Sequence, residues 1–126
     1  MKKFSLLPLI LILVFVLTSC NSKTKSINVE ISCDSEAFSV SGSVELPDTA
    51  NSAECFRQLC NINDIVIEGV DDGFITSVNG IENEGNYAWI FYINNELAET
   101  GTKNHVPEDG TLVSLKCIDW TQLFTE

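Results

Sequence analysis

The segment at residues 86–110, NYAWIFYINNELAETGTKNHVPEDG, constrains the fold of this chain more than any other. It starts as a hydrophobic run with three aromatic residues among six, reaches two adjacent asparagines, and continues as polar sequence to an Asp-Gly pair. Asparagine tolerates the left-handed backbone conformation that a two-residue hairpin turn requires. The segment therefore predicts a β-hairpin that turns at Asn94 and Asn95 and is followed by a loop over residues 101–107.

Side chains of the first hairpin strand alternate between two faces. Trp89, Phe91 and Ile93 share one face, which we assign to the core because one helix can cover only one side of a small sheet. Tyr92 belongs to the other face and, with Tyr87 at the start of the strand, is a candidate exposed aromatic on which a flat ligand stacks. We expect the turn to bring Tyr92 and the following loop to one sheet edge, beside Tyr87.

His105 is the only histidine of the chain and lies in that loop. A loop that projects from a sheet edge leaves a histidine solvated, whereas a neutral imidazole is also a ligand that cobalt accepts. Both roles stay open for His105. No other residue is a candidate metal ligand.

The first 19 residues resemble an export signal. Two lysines follow Met1, and residues 6–17 form an apolar run, interrupted only by Pro8, that is too short to span a bilayer as a stable helix. The run ends in Leu-Thr-Ser-Cys, the pattern of a lipobox, in which the Cys20 thiol carries a lipid with acyl chains such as palmitate and cleavage makes Cys20 the new N-terminus. We therefore expect a lipoprotein anchored through Cys20 to the extracytoplasmic face of the cell membrane. A signal peptide with an incidental cysteine, or a single-span anchor, is the alternative.

Cleavage at that point leaves 107 of the 126 residues, enough for one small domain. Residues 20–26 are polar, small and slightly basic, which predicts a flexible lipidated tether, so the domain would occupy residues 27–126. Loss of the two signal lysines leaves 5 basic against 18 acidic residues, a net charge of −13. This charge repels nucleic acid and anionic headgroups, so nucleic acid is not an expected partner.

Strand and helix signals follow one another in an order typical of an α+β domain. Alternating apolar residues predict strands over residues 27–33, 38–46 and 111–118. Between the second and the last of these, Asn51 and Glu54 have the spacing of a capping box at the start of a helix predicted over residues 52–61. The prediction is a small antiparallel or mixed sheet with one packed helix.

Four cysteines besides Cys20 remain in a chain that we expect to be exported. If Cys55 and Cys60 lie on one helix, their Cα atoms are roughly 8 to 9 Å apart and point about 140° away from each other, which is beyond the reach of a disulfide. Three choices remain: a disulfide from Cys60 to Cys33 or Cys117, four reduced thiols in or near the core, or a zinc site. A zinc site would need closer spacing than the sequence CFRQLC offers.

The sequence favours a binding protein over an enzyme. It has no G-x-S-x-G elbow, and every cysteine after Cys20 is predicted to lie in a core-facing or helical position, away from His105. The acidic pairs at 71–72 and 108–109 both precede glycine in turn sequences, where backbone conformation accounts for them. No catalytic residue and no required cofactor are therefore predicted.

The chain resembles the transcobalamin-like C-terminal domain found in many bacterial surface lipoproteins. The resemblance is carried, in the order and spacing of that family, by FITSVNG at 74–80, AWIFYIN at 88–94, Gly101 and Glu-Asp-Gly at 108–110. It departs from the family where Asn95 replaces the usual turn glycine and Thr111 replaces a second acid. The resemblance implies a β-grasp-like α+β fold.

In eukaryotic vitamin B12 carriers such a domain is the smaller of two that close over the corrin ring. The resemblance therefore implies a surface protein that captures cobalamin or another corrinoid for a transporter. The candidate ligand-binding residues are Tyr87, Tyr92, Asn94, Asn95 and His105. The alternative is a cell-envelope module that holds another protein and has no small ligand. Clustered exposed aromatics would favour the corrinoid, and a long unpaired edge strand would favour the protein partner.

Overall fold

A five-stranded mixed sheet, the main sheet, organises the part of the chain that the computed structural model describes, residues 23–124. Its strands are β1 (Thr24–Cys33), β2 (Phe38–Pro47), β6 (Tyr87–Ile93), β7 (Glu96–Leu97) and β8 (Leu112–Asp119), in the order β2-β1-β8-β6-β7. Strands β1 and β8 are parallel, and the other neighbouring pairs are antiparallel. A small antiparallel sheet contains β3 (Ile67–Glu68), β4 (Ser77–Val78) and β5 (Ile81–Glu82). The predicted α+β class with a mixed sheet is confirmed.

The helix α1 (Ser52–Ile62) packs on one face of the main sheet. Its N-terminus is stabilised by the predicted capping box: the Asn51 side chain accepts a hydrogen bond from the Glu54 N–H, and the Glu54 carboxylate accepts one from the Asn51 N–H, both at 2.9 Å. The buried side of the helix includes Phe56, Leu59 and Cys60. The helix ends one residue later than predicted.

The core fills the space between α1 and the alternating apolar residues of the main sheet. The buried apolar residues of the three central strands are Ile27, Val29, Ile31 and Cys33 on β1, Val113, Leu115 and Cys117 on β8, and Trp89 on β6. Phe91 packs edge-on against the Phe56 ring, with ring centres 5.8 Å apart. The assignment of Trp89 and Phe91 to the core face is therefore confirmed.

Strand β1 begins at Thr24, three residues before the predicted start of the domain. The polar sequence predicts that residues 24–26 belong to a flexible tether. That prediction is wrong for these three residues, which form the start of β1. The reason is Lys25, a buried residue whose ammonium group donates hydrogen bonds to the carbonyls of Asp48, Ala50 and Pro107 at 3.0, 2.7 and 2.7 Å. The proposed signal and Cys20 lie outside the described residues.

The four cysteines within residues 23–124 are all buried free thiols. Cys55 and Cys60 both lie on α1 and are not linked, as the helical geometry predicts. The predicted disulfide from Cys60 to Cys33 or Cys117 is not formed, and the alternative of four reduced thiols describes this structure. Within the same residues, no helix is long and apolar enough to cross a membrane.

Candidate functional site

The hairpin between β6 and β7 turns at Asn94 and Asn95, as predicted. Both residues have positive φ angles, 50° and 69°, the left-handed conformation that asparagine tolerates. The Asn94 N–H donates to the Leu112 carbonyl at 2.7 Å, and the Asn94 side-chain oxygen accepts from the Leu112 N–H at 3.0 Å. Asn94 therefore connects the turn to the start of β8, while Asn95 is exposed.

The loop at residues 101–107 folds back onto the N-terminus of α1, whereas the sequence predicted that it would project from the sheet edge. His105 Nδ1 lies 2.7 Å from the Ser52 hydroxyl, and the His105 carbonyl accepts from the Ser52 N–H at 2.8 Å. The imidazole is half-buried beside the Phe91 ring, at 5.9 Å between ring centres. Burial, and then the nearby charge of Lys25, lowers the pKa of His105. The histidine thus belongs to a structural contact.

Tyr87 and Tyr92 lie on opposite faces of β6, so the predicted grouping of these two residues at one edge is wrong. They are five residues apart, and an odd separation along a strand places side chains on opposite faces, here at positions separated by roughly 17 Å. Tyr92 is half-buried on the face away from α1, where the Lys116 ammonium lies 5.1 Å from its ring centre. Burial raises the pKa of Tyr92. Tyr87 is on the other face and is exposed.

Two aromatic residues follow β8 at the end of the sheet where β6 begins with Tyr87. The Trp120 N–H donates to the carbonyl of Asn86 at 2.9 Å, and the Trp120 and Phe124 rings are 6.4 Å apart at 72°. Tyr87, Trp120 and Phe124 are 43%, 40% and 73% exposed, which makes them available to a ligand. We call these three residues the aromatic end. Trp120 and Phe124 were missed in the sequence, although two aromatics in a polar segment directly after the last strand, DWTQLF, are a signal for such a site.

A cleft of about 460 Å³ opens next to Tyr87, between the β1–β2 turn and the small sheet. Its lining residues are Cys33, Ser35, Glu36, Gly80, Ile81, Glu82, Glu84, Tyr87 and Cys117. We call it the acidic cleft because three carboxylates line it. Carboxylates accept hydrogen bonds and attract positive charge, so this cleft suits a ligand with amide N–H donors or a cationic group. Among residues 23–124, no three or more His, Cys, Asp or Glu side chains are grouped to hold a metal ion.

One edge of the main sheet is formed by β2, which is ten residues long. It pairs with β1 on one side along its whole length, from Phe38 to Pro47. The other side of β2 therefore offers backbone groups to an additional strand. The described part of the chain thus contains exposed aromatic residues at one sheet end, which favour a corrinoid, and a long edge strand, which favours a protein partner.

Residues 58–118, just under half of the chain, match the family model described as a domain of unknown function, DUF4430. No curated protein matches the chain.

Among solved structures, haptocorrin in complex with Cbi is similar over 78% of this chain, with a TM-score of 0.67 and 14% identity. The match covers 26% of haptocorrin, so this chain spans about a quarter of that protein. A protein from Ruminococcus gnavus ATCC 29149, provisionally described as metal binding, is similar over 75% of this chain and 97% of its own, with a TM-score of 0.52 and 19% identity. The similarity to these two structures confirms the α+β fold that was predicted from the sequence.

Proposed function

We propose that this transcobalamin-like domain binds a corrinoid at the aromatic end and the acidic cleft, and that the whole protein is a lipoprotein on the extracytoplasmic face of the cell membrane. The observation that carries the proposal is that three exposed aromatic residues, Tyr87, Trp120 and Phe124, lie at the sheet end where Tyr87 also lines the cleft. The fold likeness to haptocorrin in complex with Cbi supports the ligand class.

The chemistry of the two surfaces matches that of a corrinoid. A corrin ring is a broad, nearly flat macrocycle, so exposed aromatic rings give it a large apolar contact area. Its peripheral carboxamides donate hydrogen bonds, which Glu36, Glu82 and Glu84 of the acidic cleft accept. The excess of acidic residues also favours a cationic corrinoid over an anionic one. Because the domain covers one side of such a ligand only, the affinity would be modest for a single chain.

His105 has no part in this site. Its ring contacts Phe91, which lies four residues from Tyr87 along β6, or roughly 13 Å at the rise of a strand. Its Nδ1 atom is already hydrogen bonded to Ser52. The cobalt-ligand role left open by the sequence is therefore not included in the proposal.

Calorimetric titration of the full chain, purified in detergent, with cobinamide and with aquocobalamin tests the proposal. We expect saturable binding, and we expect Tyr87→Ala and Trp120→Ala each to weaken it by about 1 kcal/mol, roughly fivefold in Kd, through lost aromatic contact. Tyr92→Ala is the matched control, because it removes the same type of ring from the other face at the far end of β6. Thermal melts of all three variants establish that the fold is kept.

Absence of saturable binding at millimolar corrinoid concentrations would refute the ligand class. If Tyr92→Ala weakens corrinoid binding and Tyr87→Ala does not, the ligand binds on the face of β6 that points away from α1, which contradicts the proposed site. Loss of binding accompanied by loss of a cooperative melt would show that the substituted ring is structural.

A protein partner is the second candidate function, favoured by the length of the β2 edge. An extended segment of a partner would add to β2 through backbone hydrogen bonds. A photoreactive residue in place of Ser41, on β2, should then form one discrete cross-linked product in intact cells. The same residue in place of Asn95, in the exposed β6–β7 turn, is the control and should form none. Products of equal yield from both positions would contradict edge pairing.

A further inference from the structure

Two thiols face each other across the only parallel strand pair of the main sheet. In the register of β1 and β8, Ser32 lies opposite Lys116, so the next residues on the two strands, Cys33 and Cys117, are also neighbours. Adjacent strands are about 4.8 Å apart, and a disulfide needs Cα atoms within about 4.4 to 6.8 Å. The backbone therefore already has the separation that a Cys33–Cys117 bond requires.

The two thiols also influence each other's ionisation. Burial first, and then the neighbouring Cys33 thiol and the charge of Glu36, raise the pKa of Cys117 to about 12. The two cysteines of α1 have no such partner: the pKa of Cys60 is raised to about 11 by burial alone, and that of Cys55 to about 11 by burial, with opposing effects of Lys25 and Glu54. Of the four thiols, Cys33 and Cys117 are the two that the register of β1 and β8 makes neighbours.

The acidic cleft gives this pair a route to solvent. Cys33 and Cys117 both line the cleft, although each is almost fully buried, at 1% and 5% exposure. Cys55 and Cys60 are buried and do not line it. A reagent that enters the cleft therefore reaches these two thiols before the two on α1.

We propose that Cys33 and Cys117 are a redox modification site, which forms a disulfide by exchange with a small-molecule or protein disulfide. One thiol loses its proton and attacks the incoming disulfide, giving a mixed disulfide and releasing one thiol of the oxidant. The second protein thiol, once deprotonated, displaces the remaining oxidant sulfur. The protein pair is oxidised to one disulfide, and the oxidant is reduced to two thiols.

Oxidation would join β1 to β8 at the base of the acidic cleft. A link between residues 33 and 117 closes most of the domain into one loop, which constrains the unfolded chain strongly. The cleft would then have a fixed base in the oxidised form and a looser one in the reduced form. This redox site stands whether or not the cleft binds a corrinoid.

Peptide mapping of the full chain, purified in detergent, tests the proposal. The protein is equilibrated in glutathione buffers from fully reduced to fully oxidised, free thiols are alkylated, and the unreduced chain is cut with trypsin and a glutamate-specific protease. Cleavage after Lys and Arg and after Glu places all five cysteines on separate peptides. We expect one linked product in oxidising buffer, residues 31–36 joined to residues 117–126, with Cys55 and Cys60 alkylated.

Variants supply the second measurement. The wild type should melt on the order of 10 °C higher in oxidising than in reducing buffer. Cys33→Ser and Cys117→Ser should each abolish this difference, and Cys55→Ser, the matched control, should keep it. Complete alkylation of Cys33 and Cys117 at every buffer ratio, or a link that includes Cys55 or Cys60, would overturn the proposal. The wild-type map decides between these outcomes even if a serine variant folds poorly.

Discussion

Lys25 shows how one residue determines where the domain begins. Its ammonium group is buried and donates to three backbone carbonyls that belong to two different loops. Without these donors, the carbonyls of Asp48, Ala50 and Pro107 would lose charged hydrogen bonds in a place that water reaches poorly. Lys25 therefore connects β1 to the segment that precedes α1 and to the loop that contains Pro107.

Replacement of Lys25 by methionine keeps the length of the side chain and removes the donors. We expect Lys25→Met to lower the free energy of unfolding by about 2 to 4 kcal/mol, measured by urea denaturation. Lys23→Met is the control, because Lys23 is the same residue type, two positions away and exposed, and its effect should stay within about 0.5 kcal/mol. Equal effects of the two substitutions would show that the Lys25 contacts add nothing to stability.

His105 gives the stability of the domain a pH dependence. The folded chain binds a proton at this histidine less readily than the unfolded chain, whose pKa is about 6.5, because burial and Lys25 oppose the imidazolium. Below that pH the unfolded state therefore binds more protons. The contribution of His105 to stability is complete above the unfolded pKa and declines as the pH falls toward the folded pKa.

The measurement is a series of urea unfolding curves between about pH 8 and pH 5. The free energy of unfolding of the wild type, relative to that of His105→Gln, should decrease as the pH is lowered through this range. The glutamine variant removes the imidazole and keeps the background titration of the carboxylates. A difference that increases toward acid pH would mean that the folded state favours the charged imidazole.

Individual residues were predictable from the sequence where local backbone geometry decides their role. Asn94 and Asn95 form the expected turn, and Asn51 with Glu54 forms the expected capping box, since both motifs depend on neighbours within four residues. The contacts of Lys25 were not predictable, because its acceptors are up to 82 residues away along the chain. A lysine beside polar residues in sequence gives no signal of such burial.

At the scale of elements, Trp89 connects the main sheet to the small sheet. The indole is buried among core residues, and its Nε1–H donates to the Ile81 carbonyl of β5 at 2.8 Å. The Trp89 N–H also donates to the Asn83 side chain at 2.9 Å, which holds the segment after β5 against β6. Loss of the indole would therefore open a cavity and leave the Ile81 carbonyl without this donor.

We expect Trp89→Ala to destabilise the domain by about 3 to 5 kcal/mol, measured by chemical denaturation, and to broaden or abolish its thermal transition. Tyr92→Ala, on the opposite face of the same strand, should cost clearly less because Tyr92 is only half-buried. The reverse order of the two effects would show that the faces of β6 are assigned incorrectly.

The sequence predicted strands correctly where the alternation of apolar and polar residues extends over several residues. The predicted strands at 38–46 and 111–118 differ from β2 and β8 by one residue at most at each end. The three strands of the small sheet have two residues each, too few for any period, and they pair because Trp89 and its neighbours hold the connecting segments. The parallel pairing of β1 with β8 joins the two ends of the domain and has no local sequence signal.

For the whole molecule, the candidate site depends on which strand ends meet. The sequence predicts that the hairpin turn brings Tyr92 to the sheet edge beside Tyr87, but the alternation of side chains along β6 places the two rings on opposite faces. Trp120 and Phe124 lie at the same end of the sheet as Tyr87 because β8 runs antiparallel to β6 with Tyr87 opposite Asp119. The acidic cleft likewise combines the β1–β2 turn, the small sheet and β8, which are far apart in sequence.

Anchoring to a membrane through a lipid on Cys20 is a prediction from Cys20 and the apolar segment before it. If Cys20 carries the acyl chains, alkyne-palmitate fed to cells that produce the chain should label the wild type, and the label should vanish in Cys20→Ser. The variant should then persist as a longer, uncleaved precursor or leave the cell, because the short apolar run alone anchors poorly. Cys55→Ser is the control and should keep the label, because Cys55 is buried in the helix and is not a position for acylation. A palmitate label retained in Cys20→Ser, or an unmodified mature chain that begins at another residue, would contradict lipid anchoring at Cys20.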